Sequence, residues 1–202
     1  MRKLFVLIIS VALMSFIPAT TGVSKKEKKD AAKFLKESQK QALASVKGLS
    51  EAQLKFKPAP DRWSVEDCMK HIAATEIGLW QLTNGTIGKP ANPEKRSEIK
   101  MTDDDVKKNI EDRTNKVKTF PPFEPQNTGY KTLEDAINSF KENRGKLMDY
   151  IKTTDDDLRN HVAALPFGSL DCYQMVLFIG AHTMRHVKQM EEVKADPNFP
   201  KN

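Results

Sequence analysis

The sequence contains few cysteines, little glycine and few aromatic residues. Of its 202 residues, 2 are cysteine and 9 are glycine, and 7% are aromatic. So few cysteines exclude a disulfide-stapled miniprotein. A hydrophobic content of 39% excludes an intrinsically disordered chain. We therefore expect one globular domain of ordinary size.

Long hydrophobic runs are also lacking beyond the N terminus. Residues 1–3 are Met-Arg-Lys, residues 4–17 are largely apolar, and residues 18–22 are Pro-Ala-Thr-Thr-Gly. This order is typical of a secretory signal peptide, whereas a spanning helix needs roughly 18 or more apolar residues. We predict a signal peptide at residues 1–22 and a mature domain at residues 23–202. The protein would then be exported, periplasmic or secreted, without a membrane span after cleavage. An uncleaved anchor is the alternative.

The mature chain carries little excess charge. Without residues 1–22, Lys and Arg exceed Asp and Glu by four, and the only dense basic stretch is Lys-Lys-Glu-Lys-Lys at residues 25–29. Nucleic-acid binding would need a basic stripe with interleaved aromatic residues. We therefore predict no nucleic-acid partner. We predict a small-molecule substrate of unknown identity. A homodimer stays open, because the sequence singles out no surface for it.

Prolines divide the mature chain into windows that each fit a helix, because a proline inside a helix removes a backbone hydrogen bond. No window shows sustained alternation of apolar and polar residues, so we predict no strands. Capping residues and apolar stripes predict helices at residues 26–47, 64–85, 103–118, 132–152 and 169–194. The third of these has a thin stripe of Val106, Ile110 and Val117 and is expected at the surface. The sequence thus predicts an all-α fold.

The four long helices are most simply packed as a four-helix bundle, because each apolar stripe must be covered. About 47 residues separate the end of the second long helix from the start of the next, at residue 132. A connection of this length can cross the bundle from one end to the other. We predict a long crossover between bundle helices 2 and 3, which carries the extra short helix and leaves these two helices parallel.

Three of the four histidines lie where one metal ion can reach them. His182 and His186 are separated by about 40° around their helix and about 6 Å along it. Their inward stripe is Cys172, Met175, Ile179, His182, His186, Met190 and Val193. His71 lies on or beside the inward stripe of the second helix, which is Val65, Cys68, His71 or Ile72, Thr75, Leu79 and Leu82. His161 has no partner at ligand spacing and is expected at the surface.

Three inward imidazoles would each need a polar partner in an apolar interior. A shared cation satisfies all three, whereas core histidines without a metal are the alternative. Three neutral imidazoles would leave Zn²⁺, Ni²⁺ or Fe²⁺ with open positions for water or substrate. No general base is evident, because Glu76 lies about 140° around the helix from His71 and Asp67 is expected to cap that helix. Arg185 would guide an anionic substrate or be solvated.

The two cysteines are predicted to stay unpaired. Cys68 is one turn before His71, whereas Cys172 is ten residues, or about 15 Å of helix, before His182. If the histidines converge, the cysteine Cα atoms cannot come within the roughly 7 Å that a disulfide tolerates.

Two motifs accompany the histidines. Residues 49–54 are Leu-Ser-Glu-Ala-Gln-Leu, and residues 58–65 are Pro-Ala-Pro-Asp-Arg-Trp-Ser-Val. His182, His186 and Gln189 form the pattern HxxxHxxQ. Together with His71, these residues resemble the DinB-like four-helix-bundle family over nearly the whole mature chain, least so at residues 86–130. The resemblance implies that His71, His182 and His186 hold one divalent metal ion, and it points to thiol-dependent transferases and isomerases or to metal-dependent hydrolases without selecting among them.

We therefore expect an exported protein that binds one divalent ion, Zn, Ni or Fe, through three histidines. It would act as a metal-dependent hydrolase or a thiol-type transferase on an unknown small molecule. The alternative is a non-catalytic binding or interaction bundle whose metal is structural or absent. An open cavity above the histidines would favour a catalytic role, whereas a cavity plugged by Trp80 or Met184 would favour the non-catalytic alternative.

Overall fold

The computed structural model describes residues 22–201, so residues 1–21 of the predicted signal peptide lie outside the described residues. Within this range the α-helices are α1 Lys25–Val46, α2 Glu51–Lys55, α3 Val65–Ile87, α4 Asp103–Glu111, α5 Leu133–Thr153 and α6 Cys172–Lys194. Two strands are β1 Val162–Leu165 and β2 Gly168–Asp171, and 3₁₀ turns cover Pro93–Glu98, Pro121–Phe123 and Pro125–Asn127. No helix in the described range combines the length and the apolar character needed to cross a membrane.

All six α-helices within residues 22–201 begin with a capping box, in which the residue before the helix and the third residue within it bond reciprocally. In α3 the pair is Ser64 and Asp67. The predicted capping role of Asp67 is therefore confirmed. In α6 the pair is Asp171 and Gln174, so this helix begins at Cys172 and not at the predicted residue 169.

The four long helices form a bundle in which α1 and α3 each pack against both α5 and α6. Lys28, near the start of α1, bonds the carbonyl of Thr154 at the end of α5, so these two helices are antiparallel. Ser45, near the end of α1, bonds Glu191 near the end of α6 at 2.8 Å, so these two are parallel. Cys172 at the start of α6 contacts the carbonyl of Thr83 near the end of α3, so α3 and α6 are antiparallel. Helix α5 is also antiparallel to α6, because it is antiparallel to α1. It follows that α3 and α5 are parallel, as the sequence predicts.

Residues 88–132 form the crossover and carry α4, which packs on α6. The helix ends at Glu111 and not at the predicted residue 118. It ends there because Asp112 accepts a hydrogen bond from the backbone of Thr114 at 2.8 Å and turns the chain. Val106 is buried as an apolar anchor, whereas Val117 lies beyond the helix and is 76% exposed.

The prediction of no strands is wrong for residues 162–171, where β1 and β2 pair as an antiparallel hairpin from Val162 with Asp171 to Leu165 with Gly168. Each strand has only four residues, which is too short for alternation to be recognised in the sequence. Asn92 of the crossover bonds both backbone groups of Val162 and fixes the hairpin against the bundle.

The apolar core has one cluster towards each end of the bundle. One includes Leu35, Leu147, Ile151, Cys172 and Ile179, and the other includes Val65, Cys68, Met69, Phe140 and Met190. Both cysteines are buried and free, which confirms the prediction of no disulfide. Burial raises the pKa of the Cys172 thiol to about 12. The prediction that Leu82 points inward is wrong, because its side chain is 44% exposed.

Candidate metal centre

Three histidine side chains meet between α3 and α6. The Nε2 atom of His182 lies 3.3 Å from Nε2 of His71 and 3.2 Å from Nε2 of His186. One ligand atom from each residue lies within 4.8 Å of the other two. His71 and His186 are buried, and His182 is half-buried. His161 lies elsewhere and is half-buried, with its ring nitrogens against the carbonyls of Asp157 and Lys89.

The crossover fixes the orientation of His71. Its Nδ1 atom lies 2.7 Å from the carbonyl oxygen of Phe123, which can only accept a hydrogen bond. Nδ1 therefore carries the proton, and Nε2 presents a lone pair to the other histidines. Gly78 leaves room for the Phe123 ring to pack against α3, because a Cβ atom at this position would lie 2.5 Å from the ring.

Thr75, one turn after His71, orients His182. Its hydroxyl oxygen lies 2.7 Å from the carbonyl of His71 and 3.3 Å from Nδ1 of His182. The single hydroxyl proton goes to the carbonyl, so the oxygen accepts a hydrogen bond from the imidazole. The Nε2 atom of His182 is therefore also unprotonated.

Gln189 and Arg113 orient His186. The Gln189 oxygen Oε1 lies 2.9 Å from Nδ1 of His186 and 3.1 Å from Nη1 of Arg113. A guanidinium group can only donate, so the atom that it contacts must be the amide oxygen, and Nδ1 of His186 must donate to it as well. Glu192 holds Arg113 in place with two hydrogen bonds of 2.6 and 2.7 Å.

The donor set therefore fits a divalent cation. Three Nε2 lone pairs face one another without a proton between them, and each ring has an acceptor on its other nitrogen, the arrangement that metal-binding histidines use. Burial lowers the pKa of His71 to about 4. Burial also lowers the pKa values of His182 and His186 well below their usual range, and the neighbouring imidazoles lower them further. All three rings are then neutral at pH 7, as metal ligands must be.

Aromatic rings surround the three imidazoles. The Trp63 ring centre lies 4.8 Å from that of His71 and 5.8 Å from that of His186. Phe178 stacks on His182 at 6.1 Å and is itself covered by Phe167. These contacts restrict rotation of the imidazole rings and limit access to the histidine cluster from the sides that Trp63 and Phe178 cover.

A cleft of about 380 Å³ leads from the surface to His186. Its other lining residues are Asp61, Arg62, Trp63, Arg113, Lys116, Val117, Thr119, Glu124, Gln126, Arg185 and Gln189. Neither Trp80 nor Met184 is among them, and Trp80 instead packs on Tyr150 with ring centres 4.8 Å apart. The cavity beside the histidines is therefore not plugged by either residue.

A family model for the DinB superfamily matches residues 35–190. The chain belongs to the DinB superfamily. YuaE of Bacillus subtilis (strain 168), an uncharacterised protein, is 24% identical over 151 residues, which cover 74% of this chain and 88% of YuaE. The solved structure of YfiT from Bacillus subtilis superposes with a TM-score of 0.58 at 13% identity, covering 86% of this chain and 89% of YfiT. Its description is "a probable metal-dependent hydrolase with an unusual four-helix bundle topology". This likeness shows the fold.

Two further residues of this DinB protein have roles that their sequence positions alone do not reveal. Glu76, considered above as a base, is buried and bonds Arg144 through both carboxylate oxygens at 2.6 and 2.7 Å. Arg185 donates to the carbonyls of Ile110, Asp112 and Asn115 and so holds the end of α4. Glu76 is thus unavailable as a general base, and Arg185 is tied to the protein backbone.

Proposed function

We propose that this protein binds one divalent metal ion through His71, His182 and His186. The observation that carries the proposal is the convergence of three Nε2 atoms whose rings each donate Nδ1–H to a fixed acceptor. In the absence of a cation, three buried lone pairs would face one another without compensation. Zn²⁺, Ni²⁺ and Fe²⁺ all accept imidazole ligands, so the donor set leaves the identity of the metal open.

We further propose that the site performs metal-dependent hydrolysis of a small molecule. Three protein ligands leave open coordination positions, as in catalytic sites and unlike four-ligand structural sites. The cleft that reaches His186 gives a substrate access, which supports chemistry over a purely structural metal. The description of YfiT as "a probable metal-dependent hydrolase" supports the same assignment.

A bound ion would supply Lewis acidity, which polarises a substrate carbonyl or phosphoryl oxygen and acidifies water. The chain's own contribution is to hold three neutral imidazoles in one orientation and to shield them with Trp63 and Phe178. Asp61 and Glu124 line the cleft and are the carboxylates available there to accept a proton from water.

Metal analysis of the purified protein tests the first part of the proposal. We expect about one divalent ion per chain, lost in His182→Ala and retained in His161→Ala, whose ring lies outside the cluster. A screen of the loaded protein with nitrophenyl esters and phosphoesters, beside a thiol-transfer assay with glutathione, tests the second part. Thiol transfer without hydrolysis would replace hydrolase by transferase, and metal binding without either activity would favour the non-catalytic alternative.

A further inference from the structure

The cleft beside the histidines has an excess of positive charge. Its walls carry four cationic side chains, Arg62, Arg113, Lys116 and Arg185, and two carboxylates, Asp61 and Glu124. A neutral substrate would gain no net Coulomb attraction from such walls. Clefts lined by one sign of charge concentrate ligands of the opposite sign, because low-dielectric walls focus the field.

Two of the four cations are engaged by the protein itself. Arg113 donates all its observed hydrogen bonds to Glu192 and Gln189. Arg185 donates to three backbone carbonyls at the end of α4. The Glu192 carboxylate offsets the charge of Arg113, and the donors of both groups are already used in holding the structure.

Arg62 and Lys116 differ from this pair. The carboxylate nearest to Arg62 is that of Glu192 at 4.0 Å, and Glu192 is already bonded through both oxygens to Arg113. Within residues 22–201, Lys116 has no carboxylate within ion-pair distance. These two side chains therefore keep donors that a ligand can use.

A second cleft adjoins the first and shares Asp61, Arg62 and Lys116 with it. The remaining charged residues of the second cleft are Glu192 and Asp196, both acidic. Positive charge thus predominates only on the side that leads to His186. An anionic group bound by Arg62 and Lys116 would be kept on that side.

We propose that the substrate carries an anionic group, such as a carboxylate, which Arg62 and Lys116 bind while the reacting group lies at the histidine cluster. This inference rests on the proposed metal-dependent function, because it places the reacting group at the metal. It narrows the substrate class to small molecules that carry both a reacting group, placed at the histidine cluster, and a separate anionic group. Arg62 and Lys116 then determine specificity and take no part in the bond-breaking step.

Matched hydroxamates test this inference by binding alone. Succinic, glutaric and adipic monohydroxamic acids each carry a metal-binding hydroxamate and, at increasing distance, a carboxylate. Each is compared with its neutral carboxamide counterpart by calorimetry on the zinc-loaded protein. For at least one length we expect the carboxylate to bind about tenfold more tightly at low salt, with the preference declining as salt increases.

The double variant Arg62→Gln/Lys116→Gln should lose this preference while still binding the neutral carboxamides. Lys36→Gln/Lys40→Gln is the matched control, because it removes the same charge from exposed positions of α1 and should keep the preference. Equal affinity of carboxylate and carboxamide at every length would overturn the inference and leave the metal site standing. If zinc binds but no hydroxamate does, the open-site function itself is wrong.

Discussion

Two polar clusters lie in the core of the bundle, one around Arg144 and one formed by the three histidines. The Arg144 side chain is fully buried, yet its guanidinium group makes five hydrogen bonds. The acceptors are both oxygens of Glu76, the carbonyl of Leu35 and the hydroxyls of Ser38 and Thr183. A guanidinium has five N–H groups, so this cluster is complete without any added group.

The histidine cluster has the opposite character. Each ring has a hydrogen-bond acceptor for Nδ1, but the three Nε2 atoms only face one another. The comparison separates a polar cluster whose donors and acceptors are paired from one in which three imidazole nitrogens face one another. Most side chains of both clusters are buried, so burial alone does not distinguish them. The distinguishing feature is whether donors and acceptors balance.

The two clusters are adjacent along two helices. Glu76 follows Thr75 in α3, and Thr183 follows His182 in α6. The Arg144 cluster contains residues from all four bundle helices. It therefore fixes the positions of α3 and α6 at the residues next to Thr75, which orients His182, and next to His182 itself.

The largest expected effect comes from breaking the complete cluster. Arg144→Met leaves the Glu76 carboxylate buried without a partner, which should lower the free energy of unfolding by about 3–5 kcal/mol. Urea denaturation measures the loss. The double variant Glu76→Gln/Arg144→Met removes the uncompensated charge and should recover part of it. A loss below about 1 kcal/mol in the single variant would contradict the central role of this cluster.

The second largest effect is expected from acid, which should change the stability contribution of the histidine cluster and not that of the Arg144 cluster. The pKa of His71 is about 4 in the fold because of burial, below the ordinary 6.5 that the unfolded chain regains. Its contribution to stability is therefore complete above pH 6.5 and is lost as the pH falls towards 4, by up to about 3 kcal/mol. Arg144 stays charged throughout this range.

Urea denaturation of metal-free protein between pH 7 and pH 5 checks the sign. His71→Asn should weaken this dependence without abolishing it, because His182 and His186 still titrate with lowered pKa values. The double variant Glu76→Gln/Arg144→Met, which leaves no unpaired buried carboxylate, should keep it. Stability that rises on acidification would contradict the assignment of a depressed pKa to His71.

Removing one histidine should affect metal binding far more than folding. With zinc at about 100 times its Kd, the wild-type protein should gain about 2.7 kcal/mol in stability. His182→Ala should lose this gain, because two imidazoles hold a divalent ion poorly, while its metal-free stability changes by less than about 2 kcal/mol. Thermal unfolding with and without zinc measures both quantities. Equal losses in His182→Ala and His161→Ala would contradict the site.

The comparison also shows what the sequence could and could not predict. His71, His182 and His186 were predictable because helical spacing places each on an inward stripe. Arg144 was not, because a charged residue in an amphipathic helix is normally exposed and its partners lie on three other helices. The Phe123 carbonyl was equally hidden, since any residue has a carbonyl and this one lies 52 positions from His71. Gln189 was found only as part of the HxxxHxxQ pattern.

Gly78 gives the smallest and most selective test. Alanine usually stabilises a helix by about 1 kcal/mol relative to glycine, but at position 78 its Cβ would lie 2.5 Å from the Phe123 ring. Displacing that segment weakens the hydrogen bond that orients His71, and loss of such support costs about tenfold or more in metal affinity. Gly85→Ala is the control in the same helix, because no atom lies within 4 Å of its Cβ position. Zinc titration should show weaker binding for Gly78→Ala and unchanged binding for Gly85→Ala. Equal affinities would mean that the Phe123 ring moves aside without displacing the carbonyl that orients His71.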